Sequence, residues 1–394
     1  MTISDIYGPQ LSLESDVRQL IELAGLGNEV TCIVATLGNA HPNSSNVSSF
    51  RFSPIPIRKI TPVLSFVPAQ FITLWRSFRK IPQSDALILN AYSCLLLLPV
   101  LVLIRRFKRS PVVFLRIASN PVEKGSFLHS LVVEFIYATS IKLSSIFFDR
   151  LFFISPMLGK MYSKKLRFAT EKIAVWPSPV DTKIFDPDAV SDTKLLRRQL
   201  GLSSHRGFLY HGVLTKSRGI MEMIEAFKIL RQHSAKDRLI LLGSGPLKDD
   251  ITSYVKANNL EDCVELYGPV DYSKVPAYIA ACDAGIVALP DHPWWRYQCP
   301  TKVLEYLAMN KPLIVSDIPA HRWILDSISL ACYMRGTSPP EIAEAVNSFS
   351  NGTAPRESRL GRDLARRFSM GEIAKMLDRE IRLISHLMVN DRGG

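Results

Sequence analysis

The sequence predicts an α/β protein made of two Rossmann-like domains, each built on a parallel sheet. Three observations lead there. The 394 residues suffice for two or three domains at about 150 residues each. Short runs rich in Val, Ile, Leu and Phe alternate with helical stretches along the chain, the pattern of βαβ units. That series breaks at Trp176-Pro177-Ser178-Pro179-Val180-Asp181, where two prolines interrupt it and the irregular Phe185-Asp186-Pro187-Asp188 follows. A chain that is 47% hydrophobic and 21% charged can also bury sizeable cores, which excludes wholesale disorder.

The first domain is read as residues 1–180, with strands at 29–35, 86–89, 112–117, 151–154 and 172–176. Residues 2–7 make a poor strand, because Ser4 and Asp5 interrupt them, so the sheet is expected to start late. Residues 86–104 are almost all apolar and close to the roughly 20 that a spanning helix needs. Asn90, Tyr92, Ser93 and Pro99 break the run, however. It divides into a strand at 87–89 and a helix at 94–106, so strand–helix–strand is preferred to a membrane span. The second domain is read as 181–369, after a linker at 178–190. Its strands are placed at 207–211, 238–242, 263–267, 284–288, 312–315 and 330–333. Met370, Ile373, Met376, Leu377, Ile381, Ile384 and Leu387 keep helical spacing, so a last helix over 370–388 is expected to pack back on the first domain.

Lys and Arg number 48 against 36 Asp and Glu, a net charge of +12. Such an excess favours anionic partners: nucleic acid, phosphorylated small molecules or an acidic membrane face. No interleaving of aromatic and basic residues supports nucleic acid. The six cysteines show no C-x-x-C pair and no neighbouring His at ligand spacing, so neither a zinc site nor a disulfide framework is expected. The start of the chain lacks a basic and apolar leader pattern. A cytoplasmic protein is expected, one that touches the inner membrane face peripherally.

Three constellations carry chemistry. In Tyr210-His211-Gly212-Val213-Leu214-Thr215-Lys216-Ser217-Arg218-Gly219 a strand ends at Gly212 and a helix opens near Gly219. Cations oppose the dipole at a helix start, so Lys216 and Arg218 make sense there if an anion such as phosphate occupies the spot. Leu242-Gly243-Ser244-Gly245 lets the backbone approach a ligand, but it is only part of a dinucleotide fingerprint. Glu265, about 20 residues on, is placed as that fingerprint wants. Pro300 opens a third helix, on which Thr301, Lys302 and Glu305 share a face. Its free N–H groups and Lys302 suit a diphosphate, and Glu305 suits ribose hydroxyls. The aromatic run from Pro290 to Tyr297 reads equally as a substrate wall or a hydrophobic lid.

Residues 207–320 resemble the nucleotide-sugar half of the GT-B glycosyltransferases of family 4. The resemblance rests on YHGVLTKSRGIMEMIEAF, LILLGSGPL, VELYGPV, VPAYIAACDAGIVALP and PTKVLEYLAMNKPLIVSDIP, in that order and spacing. WPSPVDTKIF and the segments GPQLSLESD and NEVTCIVA are similar more loosely. The resemblance implies a GT-B fold with both sheets facing an interdomain cleft. It implies transfer of a sugar, with retention, from a nucleoside diphosphate sugar to a glycan or lipid-linked acceptor. Arg218, Lys302 and Glu305 would be the catalytic set. Gly8, Gly212, Gly243, Gly245, Tyr267, Val270 and Thr301 would complete donor binding. No metal or other cofactor is implied, and the D-x-D at Asp186–Asp188 falls in the linker.

The chain departs from the family pattern in places. Tyr297 stands where the first Glu of the E-x7-E motif would be, and Val213 replaces a common Arg. The 113–122 segment holds Arg116, Ser119 and Asn120 but no His. Two alternatives therefore stay open: a non-catalytic nucleotide-sugar-binding protein and a sugar-nucleotide epimerase.

Overall fold

The computed structural model describes residues 2–7, 14–37, 49–57, 84–90, 111–118, 127–190, 192–233, 236–352 and 360–391. Gly8, the 94–106 helix, the basic 105–109 run, Ser119 and Asn120 lie outside them. The chain divides into two compact units, Met1–Pro179 with Met370–Gly394, and Val180–Ser369.

Unit 1 is a seven-stranded parallel sheet in the order β3-β2-β1-β4-β5-β6-β7. The strands are β1 (Thr2–Tyr7), β2 (Glu29–Leu37), β3 (Phe50–Ile57), β4 (Ala86–Asn90), β5 (Val112–Ile117), β6 (Arg150–Phe153) and β7 (Ile173–Val175). Two of these correct the sequence reading. β1 forms despite Ser4 and Asp5, because β2 and β4 flank it and its whole length is laddered. β3 carries Pro54 and Pro56, and the sheet admits them because β3 is an edge strand. The apolar 86–104 stretch begins as β4, paired to β1 and β5. Among the described residues no helix is long and apolar enough to cross a membrane.

Helices α1 (Glu14–Gly25), α2 (Phe127–Phe147) and α3 (Pro156–Leu166) follow their strands in sequence. Ser155 caps α3 by accepting from the Leu158 N–H at 3.1 Å. A helix from the far end of the chain, Met370–Asp391, completes the unit. Its Ile373, Ala374, Leu377, Ile381 and Ile384 are buried with Val17, Leu20 and Leu23 of α1 and with Phe114, Phe152 and Trp176 of the sheet side. The seam is fixed by a fully buried amide. Asn28 Nδ2 donates to Asp378 Oδ1 at 2.8 Å and to the Leu23 carbonyl at 3.0 Å, and Asn28 Oδ1 accepts from Arg382 at 3.1 Å. Arg116 is buried, with its guanidinium 4.0 Å over the Trp176 ring.

Unit 2 is a six-stranded parallel sheet in the order β10-β9-β8-β11-β12-β13. Its strands are β8 (Arg206–His211), β9 (Asp237–Leu242), β10 (Val264–Tyr267), β11 (Ala284–Val287), β12 (Leu313–Ser316) and β13 (Ala331–Met334). The order reverses between β8 and β11, and in open sheets ligands gather at the carboxyl ends of strands at that point. Helices α4 (Lys194–Gln199), α5 (Ile220–His233), α6 (Lys248–Ala257), α7 (Val275–Ala281), α8 (Pro293–Arg296), α9 (Thr301–Ala308), α10 (Pro319–Leu325), α11 (Pro339–Ser350) and α12 (Leu360–Arg367) precede the terminal helix, α13 (Met370–Asp391). Entry and exit of the unit are tied by a bridge between Val180 and Ser369. Both carboxylates of the D-x-D bind one cation, Arg362, at 2.6 Å from Asp186 and 2.9 Å from Asp188.

Asn28→Ala removes the buried amide that joins α1 to α13 and leaves Asp378, Arg382 and the Leu23 carbonyl without it. It is expected to lower the unfolding free energy by about 2 kcal/mol, measured by denaturant unfolding.

Candidate functional site

The site is set by backbone contact at the carboxyl ends of β8 and β9. The Gly212 N–H donates to the Leu242 carbonyl at 2.9 Å and the Leu214 N–H to Ser244 at 3.0 Å, carrying the ladder past both strands. Gly243 has φ +148°, and a Cβ there would run into the Gly212 carbonyl. A Cβ on Gly245 would meet the Leu214 backbone. These two glycines therefore spend their freedom on loop-against-loop packing. Glu265, the acidic partner that a dinucleotide fingerprint would use, is ion-paired with Arg238 on the neighbouring strand.

The loop that leaves β8 makes a single 3-10 turn over Lys216–Arg218 and then turns through Gly219, at φ +68°, into α5. A side chain on Gly219 would strike the Ala288 carbonyl, so the start of α5 lies against the end of β11, at the reversal of strand order. Arg218 is held by two aromatic groups. Its guanidinium sits 5.0 Å over the Trp295 ring, and Trp295 Nε1 donates to the Ser217 carbonyl at 2.8 Å. On its other side Arg218 reaches Tyr210, whose phenol donates to the Val213 carbonyl at 3.0 Å. Burial raises the Tyr210 pKa, and the charge of Arg218 and its hydrogen bond oppose that rise.

Pro300 precedes the first turn of α9, where Thr301 is exposed and Lys302 folds over Gly212. The space a Gly212 side chain would fill is taken by the Lys302 stem, and the ammonium lies 5.8 Å from the Tyr210 ring. Burial, with Arg218 nearby, lowers the Lys302 pKa to about 8, against the pull of Glu305. Glu305 is buried one turn on and accepts from Tyr272 at 2.7 Å. Burial raises its pKa to about 7, opposed by the Tyr272 bond and by Lys302. His211 Nε2 lies 3.4 Å from Glu305 Oε2, while burial, reinforced by Lys302, drops the His211 pKa to about 3. The imidazole is therefore neutral at ordinary pH, and its Nε2, though near the carboxyl, makes no hydrogen bond among the described residues.

Arg218, Lys302, Glu305 and Gly212 thus form one cluster at the strand reversal. Tyr267 ends β10 beside Gly243 and packs on Tyr278 at 5.2 Å, with Val270 half-buried three residues on. Sequence reasoning assigned no role to His211 or Tyr272. Nothing local marks either: Tyr272 meets Glu305 across 33 residues, and His211 reads as the last residue of a strand. Tyr297, which ends α8, is half-buried. Among the described residues no group of three or more His, Cys, Asp or Glu is placed to hold a metal ion.

Residues 205–351 match the family profile of the glycosyl transferases group 1. That span contains every residue of the cluster. Over 173 residues the chain is 25% identical to an alpha-D-kanosaminyltransferase of Streptomyces kanamyceticus, which is 44% of this chain and 43% of that one. The chain thus aligns with less than half the length of the curated relatives it matches. Likeness of structure extends much further. The Anabaena protein Alr3699/HepE, solved in complex with UDP, superposes with a TM-score of 0.72 at 15% identity, covering 97% of this chain and 99% of that one. Sucrose-phosphate synthase of Thermosynechococcus elongatus gives 0.73 at 17% identity, covering 98% and 99%. The fold is GT-B, two Rossmann-like α/β domains on parallel sheets.

Gly243→Ala sets a side chain against the Gly212 carbonyl at a φ that only glycine takes easily. We expect a loss of at least about 2 kcal/mol of stability in thermal or denaturant unfolding. A substitution as well tolerated as one on the exposed face of α5 would contradict this packing.

Proposed function

We propose that the protein is a retaining glycosyltransferase of family 4 that moves a sugar from a nucleoside diphosphate sugar to a glycan or lipid-linked acceptor. One observation carries the reading. Arg218 and Lys302 converge beside Gly212 at the strand reversal, with Glu305 one turn behind Lys302. Two cations crowded near each other in a part-buried site repel, and a bound diphosphate relieves the repulsion. The match to the group 1 profile over the same residues supports the reading, and the UDP bound to Alr3699/HepE makes UDP the first nucleotide to try.

The chemistry asks little of the protein beyond electrostatics. As the sugar–phosphate bond breaks, negative charge grows on the leaving diphosphate. Arg218, Lys302 and the free N–H groups opening α9 stabilise that charge where it develops. Glu305 anchors the nucleoside through its ribose, so that the sugar is held in register with the cations. No step uses a metal ion, so turnover in excess EDTA stays unchanged. The net charge of +12 supports an anionic membrane face as the place of work, on the cytoplasmic side. Tyr297, in place of the first Glu of the motif, favours a second reading: a protein that binds the nucleotide sugar without turning it over.

Incubation with a panel of nucleotide sugars, starting with UDP-glucose, separates the two. Release of nucleoside diphosphate with an acceptor supports the transferase. Thermal stabilisation by donor with no release across acceptors supports the binder, and no stabilisation by any donor refutes both. Arg218→Ala and Lys302→Ala are each expected to weaken binding of the nucleoside diphosphate by about 10- to 100-fold, in isothermal titration.

The pH dependence follows from the two shifted groups. Diphosphate binding needs Lys302 protonated, so affinity falls as pH rises through about 8. Hydroxyl binding needs Glu305 ionised, so affinity falls as pH drops through about 7. Affinity for the nucleoside diphosphate is therefore expected to peak between those values. In Lys302→Ala the alkaline limb disappears and the acid limb stays.

A further inference from the structure

In unit 1 the apolar stripes of α1 and α13 are buried against each other and the sheet. α2 is different. Its 21 residues include one carboxylate, Glu134, and one ammonium, Lys142, and both are turned to α3. Glu134 pairs with Lys165. Lys142 Nζ donates to the Leu166 carbonyl at 2.7 Å and to the Arg167 carbonyl at 3.0 Å. Tyr137, Ser140, Ile141, Ser144 and Ser145 fill the buried side, with Tyr137 against Tyr162 of α3 at 6.1 Å. The outward side is left apolar. Phe135 is 71% exposed and Ile146 57%, with Leu143 half-buried between them. Phe135, Thr139, Leu143 and Ile146 recur at three- and four-residue spacing, so they share one side of the helix. From Phe135 to Ile146 that stripe is about 16 Å long. Cations lie beside it. α3 holds Lys160, Lys164 and Lys165 and no carboxylate, and Lys160, Lys164 and Arg167 are exposed. Residues 127–167 carry six Lys and Arg against two Asp and Glu, a net charge of +4. Of the two acids, Glu134 is paired and Asp149 accepts from the Val113 N–H at 2.8 Å.

We propose that the outward side of α2, together with the lysines of α3, is the surface by which the protein lies on an anionic membrane. This rests on the reading that the protein works at such a membrane, and it names the part of the chain that docks. Phe135 and Ile146 enter the boundary between headgroups and acyl chains, while Lys160, Lys164 and Arg167 meet lipid phosphates. Neither ingredient suffices by itself. A short apolar stripe binds lipid marginally and reversibly, and exposed cations are screened by salt. Acting together they give an attachment that needs anionic lipid and that salt reverses. Because Glu134 and Lys142 are occupied by α3, the stripe reaches the lipid without desolvating a charge of its own.

Co-sedimentation of the full chain with vesicles tests this, using phosphatidylcholine alone and phosphatidylcholine mixed with phosphatidylglycerol in equal parts. The wild type is expected to bind the mixed vesicles about tenfold more tightly or better, and to be released by molar salt. Phe135→Ser with Ile146→Ser, and separately Lys160→Glu with Lys164→Glu, should each weaken that binding by about tenfold or more. All four side chains are exposed, so the thermal unfolding midpoint of both variants should stay at the wild-type value. A wild type that ignores the mixed vesicles overturns both the docking surface and the membrane as place of work. If the wild type binds them and either variant binds as tightly, the membrane reading stands and this surface is overturned. Self-association of the wild type without lipid, lost in Phe135→Ser with Ile146→Ser, makes the stripe a contact between copies and overturns the proposal too.

Discussion

Two loops pressed backbone to backbone govern the second unit. The chain after β8 and the chain after β9 approach so closely that Gly243 and Gly245 leave no room for a side chain. That contact carries the ladder beyond the strands and pins Gly212 and Leu214. From Gly212 the rest follows. Its bare Cα makes the floor over which Lys302 lies, and the turn from Leu214 to Gly219 delivers Arg218 to the end of β11. A parallel sheet supplies these loop ends on one edge, and the reversal of strand order keeps them from being covered by a neighbouring connection.

On that frame the charged groups settle in an uneasy balance. Burial pushes Lys302 and Glu305 each toward its neutral form, and their mutual attraction pushes both back, helped at Glu305 by the Tyr272 bond and opposed at Lys302 by the charge of Arg218. Arg218, set over the Trp295 ring, is the fixed point of the cluster. Folding alone gains little from two cations gathered beside a buried carboxyl, since the desolvation they suffer offsets most of their attraction to it. An anionic ligand is what turns this arrangement from a burden into an advantage. The aromatic loop around Trp295, open to two readings from sequence, serves in unit 2 as the clamp on that arginine.

Much of the architecture was legible because apolar runs report burial directly. The strands of the second sheet lie within a residue of where Val, Ile and Leu cluster, and the stripe on α13 marked its start and all but its last three residues. Two strands escaped for opposite reasons. β1 has weak intrinsic propensity and depends on the partners on either side of it, whereas β3 contains prolines that only an edge position excuses. In the site, motif spacing along α9 and at the start of α5 pointed to Lys302, Glu305 and Arg218, since those signals are local. His211 and Tyr272 escaped because their meaning lies in what they touch across the fold. The glycines of Gly243-Ser244-Gly245 pointed to a close approach of backbone, but sequence alone does not say whether the approaching group is a ligand or another loop. Glu265 and the Asp186–Asp188 pair likewise have ordinary ion-pair partners that spacing does not reveal.

The position of α13 bears on how the chain is made. The segment up to Pro179 and the helix Met370–Asp391 form one unit, yet the whole of unit 2 is synthesised between them. Until α13 emerges from the ribosome, the apolar side formed by α1, Phe114, Phe152 and Trp176 has no cover. The buried amide of Asn28 has no Asp378 to bind during that interval. Unit 2, continuous in sequence and closed by the bridge of Val180 to Ser369, is free to fold first. Unit 1 is thus entered before unit 2 and completed after it, and while unit 2 is being made it lacks the apolar cover that α13 supplies.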